Sequence, residues 1–253
     1  MRMLIALVTW RGLPELAADD RLLRDALVRR GAEVRAVVWD DDVDWRAFDA
    51  IVIRSTWDYH KRLDEFRAWL DRMDGLPLWN PPEVLRWNTH KSYLLELQSR
   101  GIAIVPTLFV PRGTGFIVKP AVSATAFRTE RHTNEDDLLI QPFVPEVVAD
   151  GELSFMFLGK KFSHAMRKRA ASGDFRVQSD FGGSATPFEP SAEWIEQAAH
   201  IASMLGERWL YARIDCVVRD GRLLLMELEA TEPSLFLDAA AAERFADAIT
   251  SLA

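Results

Sequence analysis

The sequence predicts an α/β layer followed by an α+β unit, and three observations carry that expectation. Over the first 80 residues, apolar runs of strand length alternate with stretches of helical spacing. Leu76 to Pro82, "LPLWNPP", then interrupts with the proline density of a boundary. Beyond it, β-branched and aromatic runs follow one another directly, as antiparallel strands do.

Taken in order, "MLIALV" reads as a buried strand, and Leu16, Leu23 and Leu27 give Leu13 to Arg30 a helical period that Gly31 ends. "EVRAVVW" and "FDAIVIR" repeat the strand and "LDEFRAWLDRM" the helix, so residues 1–80 form a layer with a parallel sheet. Asn88 or Thr89 caps a helix over "KSYLLELQSR" that stops at Gly101. "FIVKP", "LLIQPFV", "ELSFMFLG" and "KFSHAMRKR" are strands, the last two joined as a hairpin across Gly159, Lys160 and Lys161. A helix from Ser191 carries Trp194, Ala198, Ile201 and Leu205 on one face. "YARIDCVV" and "RLLLMELEA" meet at the Asp220-Gly221 turn, and an amphipathic helix follows. The units expected are 1–80, 81–145 and 146–253.

The composition restricts function. A net charge of -7 with interspersed acids and bases offers no basic stripe for nucleic acid. The first apolar run is too short for a signal peptide or a membrane span, so a cytoplasmic location is expected. A single cysteine, Cys216, permits neither an internal disulfide nor a Cys-based zinc site and reads as a small buried strand residue. The five histidines lack zinc-helix spacing, and no G-x-G-x-x-G, P-loop or G-x-S-x-G motif occurs.

The chemistry concentrates on three stretches. Glu227 and Glu229 alternate onto one face of a strand, and the hairpin brings Asp215 beside them; such a cluster of hard oxygen ligands suits Mg²⁺ bridging phosphates. Glu232, past the strand, reads as a loop residue. Lys119 ends a strand in "FIVKP", and Lys91 in the first turn of a helix opposes the dipole unless an anion sits there. "HAMRKRAASGDFRVQSDFGGS" holds enough bases to clamp a phosphate, with Arg167 and Arg169 on one face, Arg176 beyond, and His164 the histidine closest to them. At the end of the third strand, Arg54, Thr56 and Asp58 form a candidate substrate contact, Arg54 and Asp58 together matching the carboxylate and ammonium of an amino acid, while Trp57 and Tyr59 read as cover for the sheet edge.

The joint order of "NTHKSYLLELQSRGIAIVPT", "FIVKP", "LIQPFVPEVVADGE", "GDFRVQSDFGG" and "RIDCVVRDGRLLLMELEATEPS" resembles the ATP-grasp superfamily, in the branch of glutathione synthetases and ribosomal-protein glutamate ligases. "RSTWDY", "QPFVPEV", "FSHAMRKR" and "ELEATEPSLFL" are most similar to the D-cycloserine-forming O-ureido-D-serine cyclo-ligase and its relatives. The resemblance implies an ATP-grasp fold with a Rossmann-like pre-ATP-grasp layer (1–80), a small lid subdomain (81–145) and a C-terminal subdomain with the magnesium site (146–253). It also implies that Lys91 and Lys119 contact ATP phosphates, Gln141, Pro142, Phe143 and Val144 meet adenine, and Glu152 takes the ribose. Arg176, with Lys119, would face the transferring phosphoryl group. Asp215, Glu227 and Glu229 would hold two magnesium ions, or Mn²⁺ in their place, Glu229 standing where much of the superfamily has asparagine.

Two segments depart from the pattern: only "LFVPRGTG" precedes "FIVKP", and "AVSATAFRTERHTNEDD" lacks the usual glycines of the phosphate-covering loop. The reaction expected is ATP-dependent carboxylate-amine ligation, or intramolecular ring closure, on a small amino acid through an acyl phosphate. A degenerate ATP-binding protein and a small-molecule kinase are the alternatives. "LFLDAAAAERFADAI" offers Leu and Phe either to a homodimer partner or to the core.

Overall fold

The computed structural model describes residues 2–108, 116–120 and 138–252. In its first layer β1 (Leu4–Thr9), α1 (Ala18–Arg29), β2 (Glu33–Val38), β3 (Ala50–Ser55), α2 (Leu63–Arg72) and β4 (Leu78–Trp79) build a parallel sheet of order β2-β1-β3-β4. The central strands β1 and β3 are apolar on both faces because both are covered. Ala6, Val8, Ile51 and Ile53 meet Trp39, Phe66 and Trp69; Ile5, Leu7 and Val52 meet α1 and the C-terminal helix. Gly31 ends α1 at φ +86° as expected. The helix starts at Ala18 rather than Leu13, since Leu16 takes φ +67° in a turn that no helix accepts.

The expected boundary is itself structured. β4 joins the sheet, and α3 (Pro82–Asn88) opens with proline in its first turn, where the missing N–H costs nothing. α4 (Tyr93–Ser99) follows, capped at Ser92, so Lys91 precedes the helix instead of occupying its first turn and the dipole argument lapses. Asn88 does not cap α4 either: its amide donates to the Leu228 carbonyl and accepts from Ala230 N. Asn80 donates likewise to the carbonyls of Tyr211 and Ala230 and accepts from Leu210 N. Two buried asparagines thus stitch the junction to the second unit.

β5 (Phe116–Pro120) and β6 (Leu138–Pro142) form an antiparallel pair followed by α5 (Pro145–Ala149). β7 (Glu152–Leu158), β8 (Lys161–Arg169), β9 (Ser184–Pro187), α6 (Ala192–Ser203), β10 (Tyr211–Arg219), β11 (Arg222–Glu229) and α7 (Ala239–Thr250) complete the chain. Their antiparallel sheet has the order β11-β10-β7-β8-β9. The hairpin turn is Gly159-Lys160 alone, both at positive φ, and Lys161 already pairs with Leu158. α6 buries Ala198, Ile201 and Ala202 against Phe155, Phe157, Ile214 and Cys216 on one face of the sheet. The apolar residues of the closing segment, Leu235, Leu237, Phe245 and Ile249, are buried within the chain. Among the described residues no helix is long and apolar enough to cross a membrane.

Candidate active site

With one face of the five-stranded sheet on α6, strand alternation sends the opposite set of side chains outward together. Asp215 stands opposite Glu227 on one side and Ser154 on the other, Arg213 opposite Glu229, and Glu152 opposite Lys168. These charged residues floor a cavity of about 330 Å³, closed on its sides by Lys91, by Gln141 to Val144, and by residues 175–178.

Every acid of this floor is held by a base. Asp215 is 2 % exposed and accepts from the Ser154 hydroxyl (2.5 Å), the Lys168 ammonium (3.0 Å) and the Arg213 guanidinium (3.0 Å). Lys168 also pairs with Glu152, Arg213 with Glu229, and Lys91 with Glu227. Burial pushes the Asp215 carboxyl up, but Arg213 and Lys168 outweigh it and hold the group well below the usual carboxylate range. Burial likewise disfavours the Lys168 ammonium, and Asp215 and Glu152 reverse that. The expected surplus of three acids is therefore corrected: the same face carries two bases that counting acids alone overlooked. Among the described residues no three acids or histidines are grouped as a metal site stands in this arrangement.

One end of the cavity is apolar. Val144, Val147, Val177 and Met226 cluster there, and Phe143, 46 % exposed, meets Phe175 edge-on at 6.4 Å. The Gln141 side chain donates to Thr107 (3.1 Å), and residues 141–144 line the cavity beside this cluster. Arg176 lies over Phe181 (3.7 Å) and pairs with Asp174 (2.7 Å). Gly183 is required by close approach, since a Cβ would come within 2.2 Å of the Val177 carbonyl oxygen. Lys119 lies on β5 opposite Leu139; its side chain, like the loops 109–115 and 121–137, lies outside the described residues.

At the other end stand Trp57, Tyr59 and the segment after β11. That segment has no regular structure, yet five consecutive carbonyls are each taken by a side chain from elsewhere. Tyr211 donates to Thr231 (2.8 Å), Trp57 to Glu232 (3.3 Å), Arg54 to Pro233 (3.0 Å), Arg213 to Ser234 (3.1 Å) and His164 to Leu235 (2.9 Å). Glu232 is indeed a loop residue, but a buried one on the cavity wall. Burial and the neighbouring Glu229 charge push its carboxyl up to about 8.

Of the residues expected at the site, the cavity wall gathers Lys91, Gln141, Pro142, Phe143, Val144, Glu152, Arg176, Asp215, Glu227 and Glu229. Arg54, Thr56, Asp58, Arg167 and His164 are not on it. Arg54 is enclosed, paired with Asp20 (2.7 Å) and stacked on Tyr211 and Phe245. Thr56 is buried, and Asp58 accepts from the Trp39 indole (2.9 Å). Arg167 faces the opposite side of β8, over Phe188, because Leu153 is its cross-strand partner. The wall instead includes Lys168, Arg213, Trp57, Tyr59 and Glu232. Alternation from Glu227 across the hairpin leads to Arg213 as directly as to Asp215, so that signal was present; the face of β8 needed the register with β7.

The family described as D-cycloserine synthetase DcsG, N-terminal domain, matches residues 5–80. The cycloserine biosynthesis protein DcsG of Streptomyces lavendulae is 28% identical over 291 aligned positions covering 97% of each chain. Those positions outnumber this chain's 253 residues, so the relative carries residues with no counterpart here. A crystal structure of D-cycloserine synthetase DcsG superposes with a TM-score of 0.83 at 28% identity, covering 99% of this chain and 100% of that one. The ATP-grasp ligase PsnB complexed with a minimal precursor gives 0.67 at 17% identity, covering 100% and 99%. The same ligase complexed with minimal precursor, Mg and ADP gives 0.65 at 16%, covering 98% and 96%.

Proposed function

We propose that this chain, a homologue of D-cycloserine synthetase with the fold of the ATP-grasp ligases, is an ATP-dependent ligase that forms a C–N bond on a small amino acid, between molecules or within one. The observation that carries the reading is one cavity in which an apolar slot adjoins a floor of paired acids and bases. Adenine suits the slot between Phe143, Val177 and Met226, with the backbone of Gln141 to Val144 at its edge and Glu152 near the ribose.

The donor set fits magnesium and phosphate. Asp215, Glu227 and Glu229 supply only oxygen ligands, and Lys91, Lys168, Arg176 and Arg213 are cations of the same wall that phosphate oxygens could meet. Magnesium, as two ions or with Mn²⁺ in its place, would neutralise phosphate charge there. For that, Lys91 must leave Glu227 and turn to the nucleotide, and Arg213 must share Glu229. The substrate carboxylate oxygen then attacks the γ-phosphorus of ATP and ADP leaves. An amine nitrogen displaces phosphate from the resulting acyl phosphate, releasing a proton. The chain's residues position the reactants and compensate charge.

The test is ADP and phosphate release from Mg-ATP across D- and L-amino acids, O-ureido-D-serine among them, with Glu227→Gln as control. Release that requires one acid and is lost in the variant supports the ligase. One observation favours a second reading, a nucleotide-binding protein without turnover: the relative's residues that have no counterpart here. Tight Mg-ATP binding with no release for any acid would select it.

A further inference from the structure

Three buried acids line the cavity, Glu152, Asp215 and Glu232. The first two share the Lys168 ammonium. Glu232, 8 % exposed, has no hydrogen bond or ion pair to its carboxylate among the described residues, although the charges of Arg213, Lys91 and Arg54 reach it. Each of those cations is engaged elsewhere: Arg213 with Asp215 and Glu229, Lys91 with Glu227, Arg54 with Asp20. A carboxylate removed from water without a partner is costly, and this one is held in place by the five pinned carbonyls of residues 231–235. Its position is fixed by the fold, and a ligand cation would supply the partner that it lacks among the described residues.

The surroundings state what that ligand carries. Glu229 adds a second negative charge near Glu232, which excludes an anionic group. Tyr59 is 4 % exposed, lines the same wall, and its hydroxyl has no partner among the described residues, while its ring rests on Phe66 at 5.0 Å. Trp57 adds a second aromatic wall whose indole is fixed by the Glu232 carbonyl. Aromatic faces beside a carboxylate suit an organic ammonium, which gains from both, whereas a hydrated divalent ion seeks further oxygen ligands.

We propose that Glu232, on the same wall as Trp57 and Tyr59, recognises the ammonium group of the substrate, so that this end of the cavity selects acids bearing a free protonated amine over their N-acylated or hydroxy counterparts. The inference rests on the ligase reading, and it puts Glu232 in place of Asp58, whose partners lie within the protein, as the group that reads the amine. Glu232 acts by binding, with no proton transferred in the chemical step.

The test is calorimetry on the full chain with Mg-ADP present, titrating D- and L-alanine and D- and L-serine, their N-acetyl derivatives, and the matching 2-hydroxy acids. Free amino acids should bind at least about tenfold more tightly than both kinds of counterpart, the scale of one charged hydrogen bond. Glu232→Gln should remove that preference while Mg-ADP affinity stays within twofold of the parent, which also shows that the variant is folded; Tyr59→Phe should weaken it partway. In turnover, the Gln variant should raise KM with kcat little changed. Equal binding of amino and N-acetyl acids, a parent-like preference in the variant, or a loss confined to kcat overturns the inference. So does binding of none of these acids while Mg-ADP binds, which leaves the nucleotide reading standing; failure to bind Mg-ADP at all defeats that reading as well.

Discussion

Two sets of buried charge in this molecule are built from the same residue types and do opposite things. Arg54 and Asp20 are enclosed between the parallel sheet and α7, at 1 % and 2 % exposure, with the guanidinium stacked on Tyr211 and Phe245. Asp215, Arg213, Lys168 and Glu152 are nearly as buried, yet they face a cavity with more acids than bases. The first set satisfies itself and stiffens the segment holding Glu232. In the proposed reading, the second is paired only until a charged ligand arrives. Burial of a charge therefore does not mark a functional site; burial beside a cavity with an uncompensated member does.

The comparison breaks most clearly at Asp215. Asp215→Asn should reduce ADP release at least about 100-fold, as expected for losing a group that stabilises charge in the transition state. The fold should survive, because Glu152 and Glu229 remain as partners for Lys168 and Arg213. Full activity in this variant would remove the floor from the mechanism.

Arg54→Ala should do the reverse, costing about 3–5 kcal/mol in denaturant unfolding because Asp20 is left buried without its partner and must take up a proton. The folded fraction should keep the parent affinity for Mg-ATP. A loss of nucleotide affinity greater than that of stability would merge the two sets into one.

Glu232 sharpens the comparison through pH. Its folded pKa, pushed up from 4.5 to about 8 by burial and then Glu229, means that the folded state keeps a proton which the unfolded state has lost between those values. Stability thus falls as pH rises from 4.5 toward 8, a fall that Arg213, Lys91 and Arg54 ease and Glu229 deepens, with the Tyr59 phenol near the same carboxyl. Glu232→Gln should melt higher than the parent at pH 8.5, by about a few kcal/mol, and alike at pH 4.5. Melts that differ equally at both values would refute the uncompensated carboxyl.

The smallest effect is expected at Arg167, on the far face of β8. Arg167→Ala should cost about 0.5–1 kcal/mol through its contact with Phe188 and leave nucleotide affinity unchanged. Lys168→Met, one residue on, should weaken Mg-ATP binding measured in parallel. Equal effects of the two on nucleotide affinity would mean that the face assignment fails.

The elements were legible wherever one period ran uninterrupted. β1, β3, α2, α6 and the β10–β11 hairpin lie where continuous apolar runs, alternation or helical spacing put them, since each pattern is complete within one element. The structured junction was not legible. Pro81 and Pro82 read as a break, and the asparagines that bind it to β10 and β11 act across more than 130 residues of chain. At the site, the motifs on strands led to Asp215, Glu227 and Glu229 because residues two apart share a face. Arg54, Asp58 and His164 looked equally chemical in sequence and proved to be holding neighbouring structure.

The sequence by itself determined the alternation of strands and helices and the strand faces on which the acids stand, because each follows from spacing within a single element. Only the tertiary structure decided which face of β8 meets the cavity, which bases neutralise which acids, and which carboxylate has no base among the described residues. Those are properties of pairs and registers formed by segments far apart in the chain, and no local pattern encodes whether a charged side chain will find its partner inside the protein or await it from outside.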